Sequence, residues 1–424
     1  MHLKVLASVL GFTALTSAWI PGEDKTIAAI DGTNLFESNT TITSSDKRAS
    51  RRWLPASGKI RGVNLGSLFV VEPWIASTEW SNMGCGNYKS EFDCVSALGQ
   101  TKANAVFQAH WGSWITKSDI TKMQSYGLNT IRIPVGYWLD QSVVYADSEH
   151  FPQGALSYLA QVCGWAADAG FYIIIDMHGA PGAQIAQNPF TGQYAPSAGF
   201  YVDYQYKRAT TFLSWITTQI HTNNQFRNVG MLEIVNEPIQ NVNTASSMVS
   251  SYYPQARAAI RAAESSLGIA ANNYLHIQAM NSLWGSGNPK TGLTNDYFMA
   301  YDDHRYLKWD SQVAVSQASY LSKSCSENRA PDAGETPTIV GEFSISPPDN
   351  VQWTSAWEPS SAANKAFYKK WFAAQVMSYE SHTNGWVFWT WKAQLGDYRW
   401  SYQDAVAAGV IPTRLDDVYS SGAC

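Results

Sequence analysis

The 424-residue sequence has few charged residues, few cysteines and no long apolar run beyond its first residues. Charged side chains make up only 15% of the chain, and the net charge of −5 leaves no basic surface for nucleic acid. No later apolar run is long enough to span a membrane. Histidine and cysteine do not cluster at metal-ligand spacing, so we predict no metal site.

The five cysteines leave at least one thiol unpaired within the chain. Cys85 and Cys94 are close together in a loop-like stretch, and Cys424 at the end of the chain could pair with Cys325. Cys163 lies in a helical pattern, where we expect a buried free thiol. Disulfides of this kind form in oxidising compartments.

The N-terminal residues resemble a targeting segment. Residues 1–18 combine a basic start, an apolar run and small residues, which predicts a signal peptide cleaved after Ala18. A membrane anchor is the alternative, but the run is too short. Residues 19–58 read as a tail or pro-segment with a glycosylation sequon at Asn39, and Lys47-Arg48 is either a processing site or ordinary linker charge. We expect a secreted, monomeric protein of the extracellular space or cell wall.

Aromatic residues, in contrast, are abundant: the chain has 18 Trp, 22 Tyr and 16 Phe. A large aromatic core accounts for this, and so does a cleft that stacks flat, weakly polar ligands such as sugar rings. Composition does not separate the two explanations.

From residue 59 onward, short apolar runs alternate with longer amphipathic segments. The eight runs are KIRGVNLG, NTIRIPVG, YIIIDMHGAPG, MLEIVNEP, YLHIQAM, YFMAYDDHRY, TIVGEFS and GWVFWTWK. Fully apolar strands that alternate with helices predict a parallel sheet covered on both faces. An open doubly wound sheet is disfavoured because no GxGxxG follows the first run. We therefore predict an α/β fold, with residues 59–424 as a single (β/α)8 TIM barrel domain.

Polar residues follow several of these runs, where the active sites of such barrels lie. Glu237 and Glu342 each close an apolar run, the fourth and the seventh, on opposite sides of the barrel. Two carboxyls that face each other about 5–5.5 Å apart are the catalytic pair of retaining glycosidases. Surface or ion-paired glutamates are the alternative. Arg132, within the second run, is equally well explained as a buried ion-pair partner.

Several motifs resemble glycoside hydrolases of family 5, in clan A: LNTIRIPVGYW, IIIDMHGAPG, IVNEP, DDHRY, VGEFS and GWVFWTWK. RGVNLGSLFVVEPW and HWGSWITKSDI resemble the fungal exo-β-1,3-glucanase branch of that family. NLGSLFVVEPWIASTEWSNMGC is more similar to its secreted fungal endo-β-1,6-glucanases. The resemblance extends from about Ile60 to the C-terminus.

The resemblance implies a role for each matching residue. Glu237 would be the acid/base and Glu342 the nucleophile, with Asn236 on the sugar 2-hydroxyl. Arg132 and Tyr306 would lower the pKa of the nucleophile. The other implied substrate-binding or supporting residues are Glu72, His178, Trp284, His304 and either Trp389 or Trp391 beneath the reacting sugar, with Trp389 preferred.

Two segments depart from the exo-enzymes, GEFSISPPDN and IQAMNSLWGSG. These departures disfavour exo-β-1,3 specificity. The resemblance implies retaining endo-hydrolysis of the β-1,6-glucan of fungal cell walls, with that polysaccharide as the partner and no metal or organic cofactor. An exo-β-1,3-glucanase or glucan transglycosylase, a cellulase or mannanase, and a non-catalytic glucan-binding protein are the alternatives.

Overall fold

Eight parallel strands close into a barrel. The computed structural model describes residues 59–293, 298–327 and 335–424. The strands are β1 Ile60–Asn64, β2 Thr130–Gly136, β3 Tyr172–Gly179, β4 Val229–Glu233, β5 His276–Met280, β6 Met299–Arg305, β7 Thr338–Phe343 and β8 Gly385–Phe388. Each strand pairs with the next and β8 returns to β1, which confirms the predicted (β/α)8 barrel. The predicted signal peptide, the tail and Asn39 lie outside the described residues.

Helices cover the outside of the barrel. They are α1 Ser77–Asn82, α2 Glu91–Leu98, α3 Gln100–Ser113, α4 Lys117–Ser125, α5 Leu156–Asp168, α6 Asp203–Thr222, α7 Tyr253–Ser266, α8 Pro289–Gly292, α9 Gln317–Ser326, α10 Ala362–His382 and α11 Tyr402–Ala407. Gly127 and Gly170 follow α4 and α5 with φ of 77° and 78°, the left-handed conformation that ends a helix. None of the helices in the described part of the chain is long and apolar enough to cross a membrane.

The barrel interior has an apolar lower layer and a charged upper layer. Side chains alternate along a strand, so every second residue points inward. The lower layer consists of Ile60, Tyr172, Ile174, Met231, Ala300, Ile339 and Val387. Two residues further along β3, β4 and β6 come Asp176, Glu233 and Asp302, which are fully buried. The charged layer therefore lies directly beneath the rim formed by the ends of the strands.

Two disulfides fasten segments outside the barrel. Cys85 pairs with Cys94 of α2, and Cys325 of α9 pairs with Cys424 at the end of the chain. These are the two pairs considered from the sequence. Cys163 is a buried free thiol in α5, and burial raises its pKa. The thiolate, the reactive form, is therefore disfavoured at Cys163.

Candidate active site

Arg132 on β2 forms the centre of the charged layer. Its guanidinium is fully buried and donates to Glu233 Oε2 from Nε and Nη2, at 2.9 and 2.8 Å. Nη2 also lies 3.1 Å from Asp176 Oδ2, while Nη1 donates to Glu342 Oε1 at 2.9 Å. Because buried charges require partners, these carboxylates fix the guanidinium beneath the rim. Arg132 is thus a buried ion-pair partner and also a direct neighbour of Glu342, so it fits both predictions made for it.

Glu342 lies near the end of β7 and is held at both carboxylate oxygens. Oε1 accepts from Arg132, and Oε2 accepts from the Tyr306 hydroxyl at 2.8 Å. Burial raises the pKa of the Glu342 carboxyl above its usual range, although His304 and Arg132 favour the ionised form. Arg132 thus lowers the pKa of Glu342 as expected, but burial raises it by more, so the net pKa is above its usual range. Desolvation outweighs the nearby cations.

Glu237 faces Glu342 across the rim. Its backbone has a φ of 37°, a left-handed conformation that is uncommon for residues other than glycine and that often marks functional sites. One oxygen of Glu237 and one of Glu342 lie within 4.8 Å of each other. Retaining glycosidases separate their carboxyl groups by about 5–5.5 Å, and inverting enzymes by about 6.5–9.5 Å. A separation this short between the nearest oxygens favours the retaining over the inverting arrangement.

His304 on β6 connects this pair to the charged layer. Its Nδ1 lies 2.7 Å from Glu237 Oε1 and 3.5 Å from Glu342 Oε2, and its Nε2 lies 3.4 Å from Asp302 Oδ2. Burial disfavours a charged imidazole, but Glu342 and Asp302 raise the pKa of His304 well above its usual range. A protonated imidazole can donate from both nitrogens. His304 therefore donates to Glu237, and the second Glu237 oxygen is left to face the cleft.

Asn236 presents an amide donor at the same rim. Its side-chain oxygen accepts from Arg132 Nη2 at 2.8 Å, and Gln184 Nε2 donates to its backbone carbonyl at 2.9 Å. The Arg132 bond fixes the orientation of the side-chain amide, and the Gln184 bond holds the backbone. Its Nδ2 is buried and has no hydrogen-bond partner among the described residues. Since an unpaired buried donor is costly, this N–H group is suited to a ligand hydroxyl in the cleft.

Trp389, the preferred candidate for the floor beneath the reacting sugar, lines the cleft together with His178. The two rings are stacked, with centroids 5.5 Å apart and planes 8° from parallel. His178 Nδ1 lies 2.6 Å from Asp176 Oδ2, which orients the imidazole and joins it to the charged layer. A flat, fixed aromatic surface suits the apolar face of a sugar ring.

Glu72 lies in the loop after β1 and lines the cleft. Trp74 Nε1 donates to its Oε2 at 2.8 Å, and its Oε1 is buried without a partner among the described residues. Desolvation raises the pKa of Glu72 to about 7. Below that pH the carboxyl is neutral, so it can both donate to and accept from ligand hydroxyls.

A second buried carboxyl, Glu91 of α2, predicts a pH-dependent stability. Burial raises its pKa to about 8, from 4.5 in an exposed side chain, although Val71 N–H donates to it. Between these values the native protein retains a proton that the unfolded chain releases, so stability decreases as the pH rises. We expect Glu91 to lower the free energy of unfolding by up to about 1.4 kcal/mol per pH unit across this window.

Glu91→Gln imitates the protonated carboxyl and should remove this contribution to the pH dependence. Urea unfolding of the wild type and the variant at pH 5 and pH 8 measures the effect. Asp147→Asn, at an exposed carboxyl, is the control and should keep the wild-type slope. An unchanged slope in Glu91→Gln would mean that Glu91 is ionised in the native protein.

Trp391 and Trp284, the other two tryptophans predicted for the site, lie in different surroundings. Trp391 is fully buried, stacks on Tyr402 and donates to Asp119 Oδ1 at 3.0 Å, so it belongs to the core. Its prediction as a possible floor residue of the cleft is wrong. Trp284 lies beside the pair, because its ring meets His304 edge-on and its Nε1 donates to the Pro238 carbonyl at 2.7 Å.

The same side chains include two groups of potential metal ligands, Glu233 with Asp302 and His304, and Glu237 with His304 and Glu342. The sequence did not predict this clustering. Arg132 and the protonated His304 already supply positive charge to these carboxylates. A cation in either group would stand next to a buried positive charge, so these groups fit ion pairing better than metal binding.

The cleft around Glu237 and Glu342 has a volume of about 530 Å³. Sequence reasoning missed much of its lining, including Trp74, Phe190, Lys308, Trp309, Asp349, Gln352, Trp353, Asp397 and Trp400. Most of these residues lie in loops after the strands. A high tryptophan content in such loops was the available signal, but it does not show which rings reach the cleft.

Comparison with known proteins places the chain among enzymes of this architecture. The model of the cellulase family, glycosyl hydrolase family 5, matches residues 95–395. A glucan endo-1,6-beta-glucosidase B of Emericella nidulans is 64% identical over 415 residues, which are 97% of this chain and 98% of that protein. A probable glucan endo-1,6-beta-glucosidase B of Neosartorya fischeri is 62% identical over 422 residues and the full length of both.

A solved structure supports the fold independently. The rutinosidase from Aspergillus niger superimposes with a TM-score of 0.63 at 20% identity, over 83% of this chain and 97% of the rutinosidase chain. At this identity the likeness concerns the barrel alone. Since the family model matches most of the sequence, and relatives above 60% identity extend along nearly all of it, the chain belongs to glycosyl hydrolase family 5.

Proposed function

We propose that the protein is a secreted, retaining endo-β-1,6-glucanase that acts on the β-1,6-glucan of fungal cell walls. The observation that carries the proposal is the short distance between Glu237 and Glu342, within 4.8 Å at their nearest oxygens. The linkage is supported by the two nearly full-length relatives that bear the name glucan endo-1,6-beta-glucosidase B.

In the first step, a Glu342 oxygen attacks the anomeric carbon and the bond to the leaving oxygen breaks. Glu237 gives its proton to that oxygen, from the carboxyl oxygen that does not accept from His304. Arg132 and the Tyr306 hydroxyl hold Glu342 in line while it forms the neutral sugar ester, and the negative charge passes to Glu237 as it loses its proton. Asn236 Nδ2 donates to the sugar 2-hydroxyl.

In the second step, Glu237 is a carboxylate and removes a proton from water. The water oxygen attacks the anomeric carbon from the face that the leaving group vacated, and the bond to Glu342 breaks. The His304 donor compensates the negative charge on Glu237 at this stage. Two inversions give net retention of the anomeric configuration.

Products from a panel of β-glucans test the proposal. We expect a mixture of oligosaccharides from pustulan and little from laminarin, cellulose or mannan, with the β-anomer formed first in proton NMR spectra. Release of glucose alone from laminarin would favour the exo-β-1,3-glucanase, and longer products would favour a transglycosylase. Binding of pustulan without new reducing ends would identify a non-catalytic glucan-binding protein.

A further inference from the structure

Four tryptophans line the cleft and form what we call the tryptophan wall: Trp74, Trp309, Trp353 and Trp400. They lie in the loops after β1, β6, β7 and β8, respectively. Trp309, Trp353 and Trp74 are 64%, 60% and 37% exposed, and they are the most exposed tryptophans among the described residues. Exposed aromatic rings that gather in one cleft indicate a binding surface.

The wall is connected to the nucleophile Glu342 through Tyr306. Trp74 meets Trp400 edge-on at 5.1 Å, and Trp400 lies 6.5 Å from Trp309 between ring centroids. Both Trp309 and Trp400 also contact the ring of Tyr306, at 4.9 and 5.8 Å. Because Tyr306 donates to Glu342, the wall begins at the reacting sugar and extends away from it.

Trp353 is held in its exposed position by a buried arginine. The Arg399 guanidinium lies 5.0 Å from the ring, and its Nη1 donates to the carbonyls of Gln352 and Trp357 at 2.9 Å each. Asp397 pairs with the same guanidinium at 2.6 Å. The loop after β7 is therefore fastened on both sides of Trp353, which presents this ring to the cleft at little entropic cost on binding.

The charges of the cleft favour a neutral ligand. Lys308 is the one cation among the cleft-lining residues that the structure describes, and it pairs with Asp349 at 2.8 Å. The other acidic lining groups are Glu72, Glu237, Glu342 and Asp397, of which Glu342 and Asp397 are carboxylates when the substrate binds. An anionic polymer would be repelled, whereas neutral sugar rings can stack on indoles and bond with the carboxylates.

The position of the wall relative to Glu237 decides which part of the chain it binds. Glu237 protonates the leaving oxygen, so the leaving sugar lies on its side of the cleft. On that side, Trp284 contacts the ring of His304. The wall residues Trp309 and Trp400 contact the ring of Tyr306 instead. The loops of the wall follow β6, β7, β8 and β1, which are neighbours in the closed barrel, whereas Glu237 follows β4 across the barrel. We therefore assign the wall to the opposite side, which accommodates the sugars that precede the scissile bond.

We propose that this tryptophan wall binds several consecutive glucosyl units on the non-reducing side of the scissile bond, and that it thereby makes the enzyme act within chains. The inference rests on the proposed function, since it assumes that Glu237 and Glu342 cleave a neutral glucan. An enzyme that removes terminal glucose has no use for binding surface beyond the first unit on this side. A row of rings there allows the chain to continue past the reacting sugar.

The test uses β-1,6-linked glucose hexamers labelled at the reducing end, and a parallel β-1,3-linked series. The wild type should release short labelled fragments, because most units bind on the non-reducing side. Trp353→Ala and Trp309→Ala should each lower kcat/KM for the hexamer about tenfold, on the scale of one lost aromatic contact. The same variants should lower kcat/KM for an aryl β-glucoside much less than for the hexamer, and they should shift the labelled products towards longer fragments.

Tyr204→Ala is the matched control, because Tyr204 is 56% exposed on α6 and does not line the cleft. An equal loss on the hexamer and the aryl glucoside, no loss, or a shift towards shorter labelled fragments would each overturn the inference.

Cleavage of only the β-1,3 series by the wild type would overturn the proposed linkage, and the variants would then test the wall in that series. If the wild type cleaves neither series, affinity electrophoresis in pustulan and laminarin gels tests the wall, and equal retardation of the variants and the wild type would overturn it.

Discussion

Glu342→Gln is expected to lower kcat on pustulan by about 10⁴-fold or more, the scale of removing a catalytic nucleophile. The amide is a poor nucleophile and forms no glycosyl ester. It retains the shape of the carboxylate, so its oxygen can still accept from Arg132 Nη1 or from Tyr306. The loss should therefore appear in kcat, with the fold intact by circular dichroism and thermal unfolding.

Glu91→Gln is the matched control for this change, since it exchanges another fully buried glutamate for its amide. Glu91 does not line the cleft, so turnover at pH 5 should stay within twofold of the wild type. Incubation of the wild type with 2-deoxy-2-fluoroglucosyl fluoride, followed by peptide mass spectrometry, should locate the trapped sugar on Glu342. A label on another residue, or turnover of Glu342→Gln near the wild-type rate, would reject the assignment.

The barrel could be predicted because parallel strands covered on both faces consist of nearly uninterrupted apolar residues. The runs that contain Ile173–Ile175 and Met231–Val235 differ clearly from the amphipathic segments between them. Glu237 and Glu342 could be predicted for a related reason, since each follows such a run. Active sites of such barrels lie at the C-terminal ends of the strands. An ionisable side chain there is expected to act in the site or to have an ion-pair partner.

The charged layer beneath the rim could not be predicted in the same way. Glu233 lies within an apolar run, and its sequence neighbours do not reveal that its side chain meets Arg132. Asp302 likewise connects the Gly341 backbone N–H, at 2.8 Å, with the His304 ring. The contact between Arg132 and Glu233 joins β2 to β4, and that between Asp302 and Gly341 joins β6 to β7, so only the folded sheet brings these groups together.

The choice between Trp389 and Trp391 illustrates a local limit of sequence reasoning. Residues two apart in a strand point to the same face, which gives no reason to choose between them. However, β8 ends at Phe388, and the chain then leaves the strand geometry. Trp389 consequently turns into the cleft, while Trp391 packs against Tyr402.

Glu237→Gln should lower kcat on pustulan by about 10²- to 10⁴-fold, the range for removing a general acid and base. The glutamine oxygen can still accept from His304 Nδ1, so the orientation of the side chain is preserved. Substrates with good leaving groups need no proton in the first step. An aryl glucoside with an acidic phenol should therefore form the Glu342 ester rapidly and lose far less activity than pustulan in that step.

Azide distinguishes the two glutamates. In Glu237→Ala the space of the carboxylate is free, and azide needs no base, so it should restore turnover of the activated aryl glucoside. Azide attacks the Glu342 ester from the face that the leaving group vacated, which gives the β-glucosyl azide. Glu91→Gln should show no azide effect. An α-glucosyl azide would mean direct displacement without the ester, and the assignment of Glu342 as nucleophile and Glu237 as acid/base would then be wrong.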